Sequence, residues 1–347
     1  MLEKKAMDGS AKIESNFIFW RTKMRKKTLF LVLMLCFGIL IAGANGTQEA
    51  GSASDSDAIN ITVVYHDTGI EFGQVIKSGA MAAAKEFGAN VNWVGPIGIN
   101  VDEQVNFIEN AITAGVDGLA ISNVNAEALN PMIDKAMDAG IPVVTFNSEA
   151  PGSKRLAFYG QDLKQSGYVQ GQILAEYMKG KGKVIITSGD ASASWSQDRE
   201  AGVRKALAEY PDIEIVQVVS TGWEEQQMYA AIENALLANP DLGGLATLGA
   251  PTTMAGGRAL LRSGRFDKVM HVGHDFMPET LDNIKAGATK ATLSQNPYMQ
   301  GYLPVKNLYL YITTGVKLKS EDTGIVRCDA SNVDTYLQKL EDGEPIG

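Results

Sequence analysis

Polar and aromatic residues recur in this 347-residue chain just after short β-branched runs. His66, Asp67, Glu71 and Phe72 follow the run 59–65. Asn125 follows 118–122, and Asn147 follows 141–146. In the second half Trp195, Gln197 and Arg199 come after 183–187, and Trp223 after 214–219. Asp275 comes after 269–272 and Gln295 after 291–294. Carboxylates, amides and aromatic rings together suit a polyhydroxylated ligand. Each hydroxyl donates and accepts, which Asp, Asn and Gln can answer, and the C–H faces of a sugar ring lie against indole or phenyl planes. Three tryptophans lie beyond residue 44, at Trp93, Trp195 and Trp223, and the last two fall in loops expected after strands.

Other chemistries find less support. His66, His271 and His274 have no second ligand at i+3 or i+4 and there is no His-Glu-x-x-His, so no metal is expected. The chain has no G-x-S-x-G elbow, no Walker-A loop and no strand-following G-x-G-x-x-G, so no catalytic residue and no cofactor is expected. Gly180-Lys-Gly-Lys183 ends a helix and leads into a strand, the reverse of a phosphate loop. The enzymatic alternative is a secreted carbohydrate-active enzyme using His66 with Asp67, or Asp190 with His274, because two such groups in a cleft can act on a sugar. Asp275 has its own alternative as a cap for helix 278–286, and Arg199 as a pairing group on a helix face.

These residues need elements to hold them, and the chain supplies a strand–helix–glycine rhythm. Strands are expected at 59–65, 90–94, 118–122 and 141–146, with helices at 72–87, 102–114 and 126–139 between them. After Gln161 the rhythm restarts with helix 162–179, strands 183–187, 214–219, 244–248, 269–272 and 291–294, and helices 197–210, 224–238, 253–262 and 278–286. A last helix spans 298–314. Such alternation predicts parallel sheets covered on both faces. Some ten strands exceed one ordinary open sheet, so the expected fold is α/β with two doubly wound parallel-sheet domains. Ligands of parallel sheets bind at the carboxyl ends of the strands, where the polar and aromatic residues stand.

The N-terminal part carries an export signal at 24–44. Met24-Arg-Lys-Lys27 is basic, 28–41 is apolar, and Ala42-Gly-Ala44 is a small-residue cleavage site that would leave Asn45 first. The apolar run, about fourteen residues, falls short of the roughly twenty that span a bilayer. Residues 45–58 read as a flexible leader. Without the first 44 residues, which hold eight basic and three acidic groups, 23 basic and 37 acidic groups remain, a net charge of −14. No basic run survives, so nucleic acid is excluded as a partner. Cys36 lies in the apolar run and Cys328 is then alone, which rules out an intramolecular disulfide. A periplasmic location is expected, with lipid anchoring at Cys36 as the alternative.

Gly115-Val-Asp-Gly-Leu-Ala-Ile, Ala139-Gly-Ile-Pro-Val-Val-Thr-Phe-Asn, Gly273-His-Asp and Ala291-Thr-Leu-Ser-Gln, in this order, resemble the type I periplasmic sugar-binding proteins. This is the ribose- and galactose-binding branch that feeds ABC transporters, and the resemblance runs from about Ile59 to the C-terminus. It implies that Asp275 and Gln295 bind sugar hydroxyls and that Phe72 and Trp223 stack on the ring. It also implies discontinuous domains, 59–161 with 296–325 and 162–295 with 326–347, joined by a three-segment hinge that closes on the ligand. Partners implied are a small carbohydrate or polyol and an ABC permease, or a chemoreceptor or sensor kinase if the role is sensory. LacI-type effector domains share the fold but carry an N-terminal helix-turn-helix, which the signal replaces here.

The chain also departs from the family pattern. Asn147-Ser148 stands where Asp-Arg is common, Gln197 where a second arginine is common, and Gly249-Ala-Pro-Thr-Thr253 where Asn-Asp is common. That last stretch, with Trp93-Val-Gly-Pro96 and Gln104, is similar to the rhamnose- and autoinducer-2-binding branch. Fewer charges in the cleft imply a neutral sugar, a deoxy sugar or a polyol.

Overall fold

A computed structural model describes residues 58–346. The expected signal, its cleavage site, Cys36 and all but the last leader residue lie outside the described residues.

Alternating strands and helices build two six-stranded sheets, with no helix between the fourth and fifth strands of the first. The first holds β1 (Asn60–Val64), β2 (Asn90–Val94), β3 (Gly118–Ile121), β4 (Val143–Phe146) and β5 (Ala157–Gly160), with β11 (Glu321–Asp322) at its edge. Helices α1 (Glu71–Phe87), α2 (Val101–Ala114) and α3 (Ala126–Asp138) connect its strands. The second holds β6 (Lys181–Ser188), β7 (Asp212–Ser220), β8 (Leu242–Thr247), β9 (Met270–His274) and β10 (Ala291–Ser294), with β12 (Val326–Asp329) at its edge. Its helices are α4 (Leu163–Tyr177), α5 (Ser194–Leu207), α6 (Glu225–Ala238), α7 (Ala250–Ser263) and α8 (Pro278–Lys285). Helix α9 (Pro297–Thr314) returns to the first sheet and α10 (Val333–Glu341) closes the second.

Strand order is β2-β1-β3-β4-β5-β11 in one sheet and β7-β6-β8-β9-β10-β12 in the other, so one doubly wound order occurs twice. All pairings are parallel except β10 with β12. Central strands β3, β4 and β10 are buried at every position, as sheets covered on both faces require. The edge strands β2 and β7 are only partly buried.

Glycines set two of the helix contacts. A Cβ on Gly79 in α1 would lie 1.9 Å from Tyr298 O in α9, and one on Gly301 in α9 would lie 1.8 Å from Ile76 O. In the second sheet's layer, a Cβ on Gly167 of α4 would lie 2.0 Å from Arg199 O of α5. Backbone-to-backbone approach of this kind is open only to glycine.

Four short elements escape the sequence reading, the two-residue β11 among them. Ala-Phe-Tyr-Gly of β5 and Val-Arg-Cys-Asp of β12 are too short to show a period, and α10 follows a stretch without a strand–helix rhythm. Helix α5 begins at Ser194 rather than near 197, with Gln197 N donating to Ala193 O at 3.0 Å. Trp195 therefore sits in a helical first turn and not in a loop.

Candidate ligand-binding site

The switch points of the two sheets lie between β1 and β3 and between β6 and β8, where neighbouring strands lead off in opposite directions. His66 follows β1 and Ser122 follows β3, and His66 Nδ1 lies 2.7 Å from Ser122 Oγ. Across from them, a cavity with about 500 Å³ of empty space, mouth included, is lined from both sheets. The first sheet's strand ends contribute Tyr65, His66, Ile70 and Asn147, and the start of α1 contributes Phe72. On the second side α5 contributes Trp195 and Arg199, the segments after β7 and β9 contribute Trp223 and Asp275, and Gln295 stands where the chain crosses back.

Local structure aims these side chains. Asn147 and Asp275 are the first residues after β4 and β9, with φ of 59° and 72°. Left-handed backbone at a strand end turns the side chain out of the sheet's alternation, and Asn and Asp are among the residues that tolerate it. Gly189 makes room for Trp223, since a Cβ there would lie 2.6 Å from the indole. Trp195 and Trp223 have ring centroids 6.2 Å apart at 48°, forming an angled apolar wall.

A directional set of hydrogen bonds crosses the site. Ser122 Oγ donates to Asn147 Oδ1 at 3.3 Å, which leaves His66 Nδ1 as donor to Ser122 and Nε2 as a lone pair. Asn147 Nδ2 donates to Gln295 Oε1 at 3.3 Å and to Gln300 Oε1 at 2.9 Å. Gln295 Nε2 then donates to Asp275 Oδ1 at 2.8 Å. Both amide hydrogens of Asn147 are thus spent within the protein. Gln104, 0% exposed, anchors the set from behind by donating to Ser122 O at 2.7 Å.

Burial governs the charges. It pushes the His66 pKa down to about 3, so the ring is neutral at ordinary pH. Arg199 is buried, which lowers its pKa, while the nearby Asp275 carboxylate acts to raise it. Arg199 Nη1 donates to Leu248 O at 2.7 Å and Nη2 to Gln161 Oε1 at 3.3 Å, and its buried Nε has no protein partner. Burial also raises the Asp275 pKa, opposed by Arg199, by Gln295 and by a backbone hydrogen bond with Ala250. One cation and one anion therefore face a largely apolar cavity, a charge balance suited to an uncharged polar ligand.

Several residues singled out in the sequence lie elsewhere. Asn125 is exposed and caps α3, its Oδ1 accepting from Ala128 N at 2.9 Å. Gln197 is exposed and donates to Ser192 O at 3.2 Å. Asp67 is buried, but its Oδ1 accepts from Gly69 N and Gly98 N, each at 2.9 Å, which ties the loop after β1 to the loop after β2. It borders an adjoining compartment together with the exposed Glu71, not the inner cavity. The other two histidines serve the second core: His271 lies 3.0 Å from Thr247 Oγ1 and 2.9 Å from Thr289 Oγ1, and His274 lies 3.0 Å from Gln170 Oε1.

The sequence reading missed Tyr65 and Leu163, and placed Gln161 at the expected hinge without a side-chain role. Tyr65 reads as the last residue of a strand, and its ring stacks against Trp93 at 5.4 Å and Phe146 at 6.1 Å. Gln161, 1% exposed, reads as the start of a helix, yet it donates to Ser294 O at 3.2 Å and Gly324 O at 2.9 Å. No local signal marks a glutamine whose two carbonyl acceptors are more than 130 positions away.

A family model described as "Periplasmic binding protein domain" matches residues 61–316. The xylose/arabinose-binding protein XylF of Sulfolobus acidocaldarius is 27% identical over 304 residues, which cover 83% of this chain and 75% of that protein. The D-ribose/D-allose-binding protein of Pseudomonas aeruginosa is 27% identical over 316 residues, 88% of this chain and 96% of that protein. An ABC transporter solute-binding protein from Burkholderia graminis, solved in complex with D-arabinose, matches at 28% identity with a TM-score of 0.78, over 82% of this chain and 99% of that one.

Proposed function

Because the chain belongs to the family of the periplasmic binding protein domain, we propose that it captures a neutral monosaccharide or polyol and delivers it to an ABC importer. The relatives named above are binding proteins rather than enzymes, and each is described by the pentose or hexose it binds. The single observation that carries the reading to this chain is the cavity lined from both sheets, with Asp275, Arg199 and Gln295 beside Phe72, Trp195 and Trp223.

In this reading residues 59–161 with 296–325 form one lobe and residues 162–295 with 326–347 the other. Hinge closure around the sugar brings the two halves of the site together. Asp275 accepts from hydroxyls and Arg199 Nε donates to one. His66 Nε2 accepts from another, and the indoles and Phe72 cover the C–H faces. The family works outside the cytoplasm; a periplasmic location after cleavage at Ala44 belongs to the proposal.

A thermal-shift screen of the chain from Asn45 against pentoses, hexoses, 6-deoxy sugars and polyols tests the reading. A micromolar ligand at a hundredfold excess over its Kd adds about 2.7 kcal/mol of stability, so one sugar should stand out in melting temperature. A flat screen, with no sugar released from the denatured protein by mass spectrometry, would sink it.

A further inference from the structure

The inner cavity has a neighbour at its aromatic wall. A second compartment of about 1200 Å³, open solvent included, adjoins it and shares Ile70, Phe72, Trp223, Ala250 and Pro251 with it. Beyond those shared residues its wall changes character. Met228, Met254 and Met277 converge there with Tyr229, and Ile97, 87% exposed, stands at its rim. Unbranched, polarisable methionine side chains adapt to rings of varied shape and make favourable contacts with them. The Tyr229 hydroxyl is buried without a hydrogen-bond partner, and the Arg258 guanidinium lies over the face of its ring, 4.8 Å from the centroid. Arg258 is itself engaged by Glu225 and Glu279. The remaining charges that border the space are acidic: Asp67, Glu71 and Glu224.

We propose that this compartment is a second subsite, which takes an uncharged apolar or aromatic group attached to the sugar in the inner cavity. The ligand class is then a glycoside with such an aglycone, not only a free monosaccharide. The inference rests on the sugar-binding reading of the inner cavity and extends it. Both compartments border Phe72 and Trp223, so a ligand that passes these rings places its sugar on one side of the aromatic wall and its aglycone on the other. The methionine and tyrosine lining selects for an apolar group. The acidic border selects against phosphate or carboxylate appendages through like-charge repulsion.

Isothermal titration calorimetry on the purified chain would compare D-xylose, L-arabinose, D-ribose and D-allose with their methyl and phenyl glycosides and with the sugar phosphates. The expected result is that the phenyl glycoside of at least one sugar binds about tenfold or more tighter than the free sugar. The corresponding phosphate should bind more weakly than the free sugar. Ile97→Gln and Met254→Gln, whose side chains border only the second compartment, should each reduce the phenyl gain several-fold and leave free-sugar affinity unchanged. A free sugar that binds while every phenyl glycoside is weaker overturns the second subsite and spares the sugar site. A phenyl gain that survives both substitutions does the same. Binding of no sugar and no glycoside overturns both.

Discussion

Asn147 and Asp275 occupy the same place in the two sheets and are joined by one side chain. Each is the first residue after the fourth strand of its sheet, and each has left-handed backbone, with φ of 59° and 72°. Gln295 accepts from Asn147 Nδ2 at 3.3 Å and donates to Asp275 Oδ1 at 2.8 Å. The bridge spends the Asn147 amide and orients the Asp275 carboxylate, so the two equivalent positions have unequal roles. Asp275 keeps acceptor capacity for a ligand, and Asn147 becomes part of the frame.

Asp275→Ala should therefore weaken sugar binding by about 1.5–3 kcal/mol, the range for a hydrogen bond to a charged group. Asn147→Ala should act more on stability than on affinity. Calorimetry on both variants with the sugar identified in the screen checks this. Equal affinity losses would mean that Asn147 also touches the ligand.

Gln161 binds the crossing segments together, through Ser294 O and Gly324 O, and holds Arg199 Nη2. Gln161→Met keeps the volume and removes all three bonds. At saturating sugar this variant should retain a larger radius of gyration by small-angle X-ray scattering than the wild type, with weaker binding. Superimposable scattering curves would show that the proposed hinge closure does not depend on this residue.

Gly167→Ala places a Cβ 2.0 Å from Arg199 O. Helix α5 must move, at a cost of about 1–3 kcal/mol for overpacking, and it carries Arg199 and Trp195 with it. Urea denaturation should show the destabilisation and calorimetry a parallel loss of affinity. Gly79→Ala, which strains the α1–α9 contact instead, should lower stability as much. Its effect on affinity should be smaller.

Three buried histidines make the fold sensitive to mild acid. Burial pushes His66 and His271 down to about 3 and His274 well below its ordinary value. The unfolded chain takes up these protons below about pH 6.5, whereas the folded chain does not, so stability is present above that pH and falls as pH drops toward 3. The slope is about 1.4 kcal/mol per pH unit for each histidine. Asp275, whose pKa is raised, works in the opposite direction as it protonates in the fold. Urea midpoints at pH 7, 6 and 5 read the histidines above most of the carboxylate range. A constant midpoint over that interval would contradict the buried neutral state.

The alternation of strands and helices, the two parallel sheets and the loops that carry the site were legible from residue order, because hydrophobic period and glycine stops are local properties. Phe72, Trp223, Asp275 and Gln295 were legible for the same reason: they follow strands whose carboxyl ends face the cavity. Which strand-end residues turn inward was not. Asn125 and Gln197 have the right chemistry shortly after the right strands, but nearby backbone groups, Ala128 N and Ser192 O, claim their side chains. Gln161 and Tyr65 looked like parts of a helix and a strand, and their partners come from other segments of the chain. Local sequence determined where polar groups could stand. Only the tertiary structure decided which of them still had an unspent hydrogen bond facing the cavity, because that depends on partners brought together across more than a hundred residues.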